Sequence, residues 1–357
     1  MPTNDLNNLI VARGKALFAS IADEKPELFN SATWTGRVMD WCLKNSEFKT
    51  SLLRFVDVFP VLKGHAQITG HIRQYFGEEK ELPPVLATGA RMAGMLGSVG
   101  GTLLARLISS NIHEMARQFI LAERPEELAD GLASLNRKGF AFALDVLGEA
   151  TLSYGEAEQY LSTYLQLLEL LTAEKARWKT LPGMEEAPPV HLAVKPTAFF
   201  PLANPMDFEG SVNGILTPLR TLTERVVRAG AFLCIDMESY RFKGITLEVY
   251  RRLKSEFRDY PHIGIALQAY LNDSETDLAE LLAWAEGNRI QISIRLVKGA
   301  YWDYETVRAR QMGWPTPVRA IKAGSDAAFE RMSATILRHH HICHFACASH
   351  NIRSIAS

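Results

Sequence analysis

The sequence predicts an α/β fold, a (β/α)8 TIM-type barrel that is C-terminally incomplete, preceded by an all-helical N-terminal region. Two observations predict it. From about residue 140 onward, short apolar runs alternate with amphipathic helical segments, which implies parallel strands joined by crossover helices. Each run also has two unlike faces: one apolar, the other small or polar with an ionisable or amide group near its C-terminal end. An open parallel sheet is covered on both sides and reads apolar on both. A barrel turns one face into its lumen and gathers its site at the C-terminal strand ends.

Residues 1–115 form the helical region. Within it Leu52, Leu53, Phe55, Val56, Val58 and Phe59 cluster between charged residues, and "GEEKELPPVLA" (77–87) reads as an internal linker. "IHEMARQFILAERPEELADGLASL" reads as helix, proline break, helix. The barrel then occupies 116–357. Its first strand sets Leu144 and Val146 against Ala143 and Asp145, and a helix follows around 156–177. The second sets Leu192 and Val194 against His191, Ala193 and Lys195, with a helix near 211–229. The third sets Leu233, Ile235 and Met237 against Cys234, Asp236 and Glu238. Leu247, Tyr250, Leu253 and Phe257 recur at helical spacing after it.

The fourth strand sets Ile263, Ile265 and Leu267 against Gly264, Ala266 and Gln268. Its helix has Ser274 as N-cap, Asp277 three residues on, and Gly287 just past its end. The fifth sets Ile290, Ile292, Ile294 and Leu296 against Gln291, Ser293 and Arg295. The connection from Asp303 to Gly324 is long enough for a ligand lid, and a helix starts at about Ser325. In the sixth, Cys343, Phe345 and Cys347 share one face while His350 is in phase with Ala346 and Ala348. Asp145, Lys195, Asp236, Gln268, Arg295 and His350 then converge on one end of the barrel. At roughly 30 residues per unit, closure needs about 60 residues more, so the sequence reads as a truncated or internal piece of a longer protein.

Composition excludes several classes. Hydrophobic residues make up 47% and charged residues 22% of 357, an ordinary globular balance. A formal net charge of −1 without single-sign runs argues against nucleic acid as a partner. The four cysteines are too few for a disulfide framework, which suggests a reducing compartment, and the N-terminus carries no signal-peptide pattern. "GARMAGMLGSVGGTLLARLI" (89–108) has closely spaced glycines, but Arg91 and Arg106 leave it shorter than the ~20 apolar residues of a membrane span. A soluble helix or turn packed closely on a neighbour is the better reading.

No metal cluster is expected: "HHHICHFACASH" concentrates Cys343, Cys347 and histidines, yet its cysteines alternate as one strand face with no second ligand pair nearby. P-loop, G-x-S-x-G and G-x-G-x-x-G patterns are missing. "KGAYW" reads two ways. Gly299 and Ala300 could admit an anion to their backbone amides beside Lys298, with Tyr301 and Trp302 against a planar ligand. It could equally be a strand-to-loop turn whose aromatics pack on the rim.

Taken in order, "LDVLGEA", "KP" at 195, "IDMES", "LQAY", "RLVKGAYWD" and "ASHN" resemble the strand-end motifs of the proline dehydrogenase barrel. The resemblance covers about 115–357, and the helical region before it is similar to the helical arm of bifunctional proline utilisation proteins. It implies FAD as cofactor, L-proline as substrate, and Δ1-pyrroline-5-carboxylate as product. It also implies hydride transfer to the flavin N5, a membrane quinone as electron acceptor, and in many bacteria a fused aldehyde dehydrogenase domain. The expected location is cytoplasmic with peripheral attachment to the inner membrane, and a homo-oligomer is possible.

By the same resemblance, Asp236 and Arg295 match the active-site pair, Lys195 the lysine holding the substrate carboxylate, Tyr301 the aromatic near the proline ring, and Asp145 a supporting carboxylate. Met237, Gln268, Arg295, Lys298, Gly299, Ala300, Trp302, Ser349, His350 and Asn351 fall at flavin contacts. Position 349 is serine where threonine is common. The family's paired arginines and selectivity tyrosine belong to a last helix beyond Ser357, so weak proline affinity is expected of these 357 residues alone. Two rival readings remain: a Schiff-base lyase or aldolase using Lys195, and an inactive barrel fragment. Carboxylates on neighbouring strand ends count against the first, because they favour a charged amine over a nucleophilic one.

Overall fold

The computed structural model describes residues 3–22, 50–51, 54–55, 58–62, 64–76, 120–122, 124–148 and 150–357. The segments at 77–87 and 89–108, together with Leu52, Leu53 and Val56, lie outside the described residues. Two compact units emerge: 20–123, and a second that joins 1–19 to 124–357.

In the first unit a 3-10 turn at Phe59–Val61 precedes helix α2 (His65–Phe76), and Phe55 is buried with its ring 6.2 Å from Tyr75. In the second, helix α1 (Thr3–Ser20) lies against the C-terminal helix α10 (Ile352–Ala356), where Arg353 donates to Asn7 Oδ1 at 2.9 Å.

The second unit continues with α3 (Leu128–Arg137), β1 (Leu144–Asp145), α4 (Tyr154–Glu174), β2 (His191–Val194), α5 (Phe208–Ala229), β3 (Phe232–Ile235) and α6 (Lys243–Glu256). It then runs through β4 (Ile263–Gln268), α7 (Ser274–Asn288), β5 (Ile292–Val297), α8 (Trp302–Met312), α9 (Lys322–Arg338) and β6 (Cys343–Cys347). Among the described residues six strands run parallel in the order β1-β2-β3-β4-β5-β6, six of the eight that close a TIM-type barrel. The outer face is aliphatic: Leu192, Val194, Leu233, Ile235, Ile263, Ile265, Ile292, Ile294 and Leu296 are all fully buried. Against them pack Val212, Ile215, Leu219, Leu222 and Val226 of α5, also fully buried, at helical spacing. The lumen face runs through Asp145, Ala193, Cys234, Gly264, Ser293 and His344, successive register partners across the six strands.

Three expectations are corrected. Gly287 lies inside α7, and the left-handed terminating residue is Arg289, at φ 54°. The helix stops where Ile290 can be buried, its N–H bonded back to the Ala285 carbonyl, and that burial outweighs about 1 kcal/mol of left-handed strain. Ser274 does not cap α7 either: its hydroxyl donates to the Leu271 carbonyl, and Asp277 is drawn to Lys243 at 2.7 Å. The 303–324 connection is helical in its first half, as α8; it buries only Glu305 and Ala309, so no apolar stripe announces the helix in the sequence.

Candidate active site

Above the small lumen row stand the charges. Lys195 and Asp236 each follow a strand by one residue, and Arg295 lies within β5 level with Ala266 and Ala346. β2, β3 and β5 thus deliver charged side chains to one height. Lys195 Nζ is ion-paired to Asp145 and lies 3.8 Å from Asp236 Oδ2, while Asp236 Oδ1 is ion-paired to Arg295 Nη2. The four form a chain of alternating sign, Asp145–Lys195–Asp236–Arg295. Asp145 is its most open member at 33% side-chain exposure and Lys195 the least at 14%. Buried charges persist only when paired, and here each has an opposite neighbour.

Beside this chain Gln268 is buried and donates from Nε2 to the Met237 carbonyl at 3.0 Å. Its Oε1 is buried without a hydrogen-bond partner among the described residues, as are Arg295 Nε, Ser293 Oγ and His191 Nε2. Native proteins rarely leave such atoms unsatisfied. Their concentration on lumen positions marks where a polar ligand would dock. His191, on the same face two residues before Ala193, has its pKa pushed down to about 4, by burial first and by the Arg295 cation second.

The turn after β5 is built on Tyr270. Gly299 has φ +133°, and a Cβ there would lie 2.4 Å from the Tyr270 ring, so only glycine fits. Tyr270 N–H donates to the Lys298 carbonyl at 2.8 Å. Lys298 Nζ is held by Asp326 Oδ1 at 2.5 Å, and Lys322 reaches the other oxygen at 2.6 Å. Burial alone would raise the Asp326 pKa, but the two lysines hold it below the usual carboxylate range. Ala300 is exposed, and Tyr301 is half-buried at the start of α8. Trp302 is 41% exposed and donates from Nε1 to the Arg319 carbonyl at 3.0 Å, as a rim aromatic does.

After β6, Ser349 Oγ accepts from Asn351 N–H, and Asn351 Oδ1 caps α10 through Ser354 N–H, both at 3.1 Å. His350 is exposed, three residues past the end of β6. Asp145, Lys195, Asp236 and Arg295 therefore meet in one ion-paired chain, and Met237 meets Gln268. Lys298 to Trp302 and Ser349 to Asn351 occupy the turns after β5 and β6.

Several residues at the site were given no role by the sequence. Glu238, buried at the end of β3, accepts from Thr197 N–H at 2.9 Å and Thr197 Oγ1 at 2.6 Å, tying that end to the end of β2. Tyr160 and Tyr164 of α4 reach β1, and Asp326 reaches Lys298. A pair of tyrosines four apart on a helix reads as core, and their hydroxyls become visible only once the strands are placed.

The family model for proline dehydrogenase matches residues 128–357. The chain belongs to the proline dehydrogenase family. A second model, for the proline utilization A N-terminal domain, matches residues 7–119. The bifunctional protein PutA of Escherichia coli (strain K12) is 27% identical over 267 residues, covering 74% of this chain and 20% of that protein. Proline dehydrogenase of Deinococcus radiodurans is 29% identical over 205 residues, 57% of this chain and 58% of the other. Among solved structures, proline utilization A from Bdellovibrio bacteriovorus, inactivated by N-propargylglycine, superposes with a TM-score of 0.87. It is 34% identical, over 98% of this chain and 35% of that one. This chain thus spans a fifth of the length of the bifunctional relative and about a third of the solved one. Its six strands are those of a proline dehydrogenase TIM-type barrel.

Proposed function

We propose that this chain forms the substrate- and flavin-binding floor of an FAD-dependent enzyme that oxidises L-proline to Δ1-pyrroline-5-carboxylate, the first step of proline catabolism to glutamate. The observation that carries the reading is the Asp145–Lys195–Asp236–Arg295 chain beside the unpartnered Gln268 Oε1 and Arg295 Nε, in a barrel of the proline dehydrogenase family. An orphan acceptor next to an orphan donor suits a planar group whose edge carries both N–H and C=O, as the flavin ring does. When bound, the flavin supplies the acceptor for hydride and the electronic chemistry.

The chain's own residues bind and orient. Lys195 anchors the substrate carboxylate by exchanging part of its ion pairing for it. Arg295 donates toward charge that develops as the cofactor is reduced, and Asp236 holds its guanidinium in place. Tyr301 walls the proline ring, and Asp145 keeps Lys195 in position. Met237, Gln268, Lys298, Gly299, Ala300, Ser349, His350 and Asn351 hold the cofactor, with Lys298 meeting its phosphates when it leaves Asp326, while Trp302 packs on the rim against the Arg319 carbonyl.

The bifunctional relatives support a helical arm over 1–115 ahead of the barrel over 116–357. The proposal carries with it, from the family resemblance, a fused aldehyde dehydrogenase, a membrane quinone as electron acceptor and peripheral attachment to the inner membrane. Among the described residues, no helix is long and apolar enough to cross a membrane. The Schiff-base reading has less support, because Lys195 Nζ lies between two carboxylates as an ionic anchor.

The test is anaerobic addition of L-proline to the flavin-loaded protein, followed by absorbance. Bleaching of the flavin band is expected. Arg295→Lys keeps the charge but loses the planar fork, and should slow bleaching by roughly 10- to 100-fold. A spectrum indifferent to proline, or a borohydride-trapped adduct on Lys195, would overturn the reading.

A further inference from the structure

β1 is two residues long, and Asp145 is its last residue. Past that point the chain does not continue the ladder directly. In a parallel ladder with Asp145 opposite Ala193, the next slanted bond would join the Val146 N–H to the Ala193 carbonyl. Instead the hydroxyl of Tyr164, from α4, occupies the gap. It accepts from Val146 N–H at 3.0 Å and donates to the Ala193 carbonyl at 2.6 Å. Tyr164 is fully buried, and Ala193 is 2% exposed. The Tyr164–Ala193 half of the relay is therefore shielded from water, while Val146 is half-buried.

The same hydroxyl lies 3.4 Å from Asp145 Oδ1, and Tyr160 completes a small cluster, its own hydroxyl 3.3 Å from that of Tyr164 and 3.4 Å from the Val146 carbonyl. A tyrosine hydroxyl has a single proton to give. Ala193 takes it at 2.6 Å, so Asp145 Oδ1 remains a spare acceptor and Oδ2 is committed to Lys195. Burial, ahead of the Tyr160 contacts, holds the Tyr164 pKa far above its ordinary value, so the proton stays in place.

We propose that Tyr164 is a positioning residue: its hydroxyl, wedged into the β1–β2 ladder, sets the height and spacing of Asp145 and through it the Lys195 ammonium that takes the substrate carboxylate. β1 is too short to hold Asp145 by itself, and the helix supplies the missing contact to β2. The proposal deepens the proline reading and rests on it. It predicts an effect on substrate affinity without a matching effect on the chemical step, because Arg295 and Gln268 lie on other strands.

The experiment uses the full-length flavin-loaded protein and the variants Tyr164→Phe and Tyr160→Phe, which keep the packed rings. For Tyr164→Phe the KM for L-proline should rise about five- to tenfold, the scale of one hydrogen bond. The kcat and flavin content should stay within about twofold of wild type. Tyr160→Phe, which loses only the longer 3.4 Å contact to the Val146 carbonyl and leaves the Tyr164 bridge in place, should raise KM by less than Tyr164→Phe does. As a readout independent of turnover, amide exchange at Val146 should quicken at least about tenfold in Tyr164→Phe. An unchanged KM with quickened exchange would overturn the positioning role, and unchanged exchange would overturn the relay itself. Equal losses of kcat, flavin and KM would reduce Tyr164 to a packing residue. If wild-type flavin ignores proline, the proline reading fails and the role proposed for Tyr164 fails with it, whereas the exchange measurement still decides the relay separately.

Discussion

At Gly299 the backbone sits at φ +133° with the Tyr270 ring where a Cβ would be, 2.4 Å from both Cγ and Cδ1. Two separate costs meet there. An L-side chain in that region is strained by about 1–3 kcal/mol, and the ring behind it must move, although Tyr270 is 3% exposed and packed with Leu271 and Val318. Gly299→Ala should therefore lower the Tm by roughly 5 °C and weaken flavin binding, read by thermal melts and flavin titration. A variant that melts and binds as wild type does would show that the turn relaxes freely. The anion-turn reading of "KGAYW" rested on glycine being small; the geometry gives a second reason, the ring beneath it. Trp302, by contrast, leans toward the rim reading, with its indole N–H engaged by Arg319.

Among the elements, strand faces were legible because period-two alternation survives folding: Arg295, Asp145 and the small lumen row fall where the sequence put them. Helix ends were less so. Gly287 and Ser274 carry the right residue types for caps, but the burial of Ile290 and the Leu271 carbonyl decided otherwise. Links between elements were not legible at all. The Glu238–Thr197 bond joins residues 41 apart in sequence, and nothing local announces it. It lies two residues beyond both Asp236 and Lys195 and so braces the strand ends that carry them. Glu238→Ala would leave the buried Thr197 N–H unpaired, a cost of about 1–3 kcal/mol. It should also raise the KM for proline, while Glu238→Gln, which still accepts that N–H, should recover most of both. Denaturant melts and steady-state kinetics on the two variants check this; equal damage from both would mean that charge, not the bond, is what matters.

For the whole molecule, a lumen that shelters unpaired polar atoms also shelters a histidine. His191 lies tilted against Phe232, with ring centroids 4.2 Å apart, and its Nε2 is buried without a partner among the described residues. Its pKa in the folded protein is about 4, against 6.5 when unfolded, because burial and the Arg295 cation both oppose a second charge. The folded state therefore binds fewer protons than the unfolded chain between these values, and stability must fall as pH drops through that window. A shift of this size corresponds to at most about 3 kcal/mol, fully present above pH 6.5 and lost toward pH 4. His262, whose pKa is lowered by burial and then by His344 and Lys254, adds in the same direction. His191→Gln removes the titration and keeps a neutral polar side chain, so it should flatten the decline in Tm between pH 6.5 and 4. Thermal melts of both proteins across that range decide it: parallel curves would place the acid sensitivity elsewhere, whereas converging curves toward low pH would trace it to the same lumen that shelters the unpaired polar atoms.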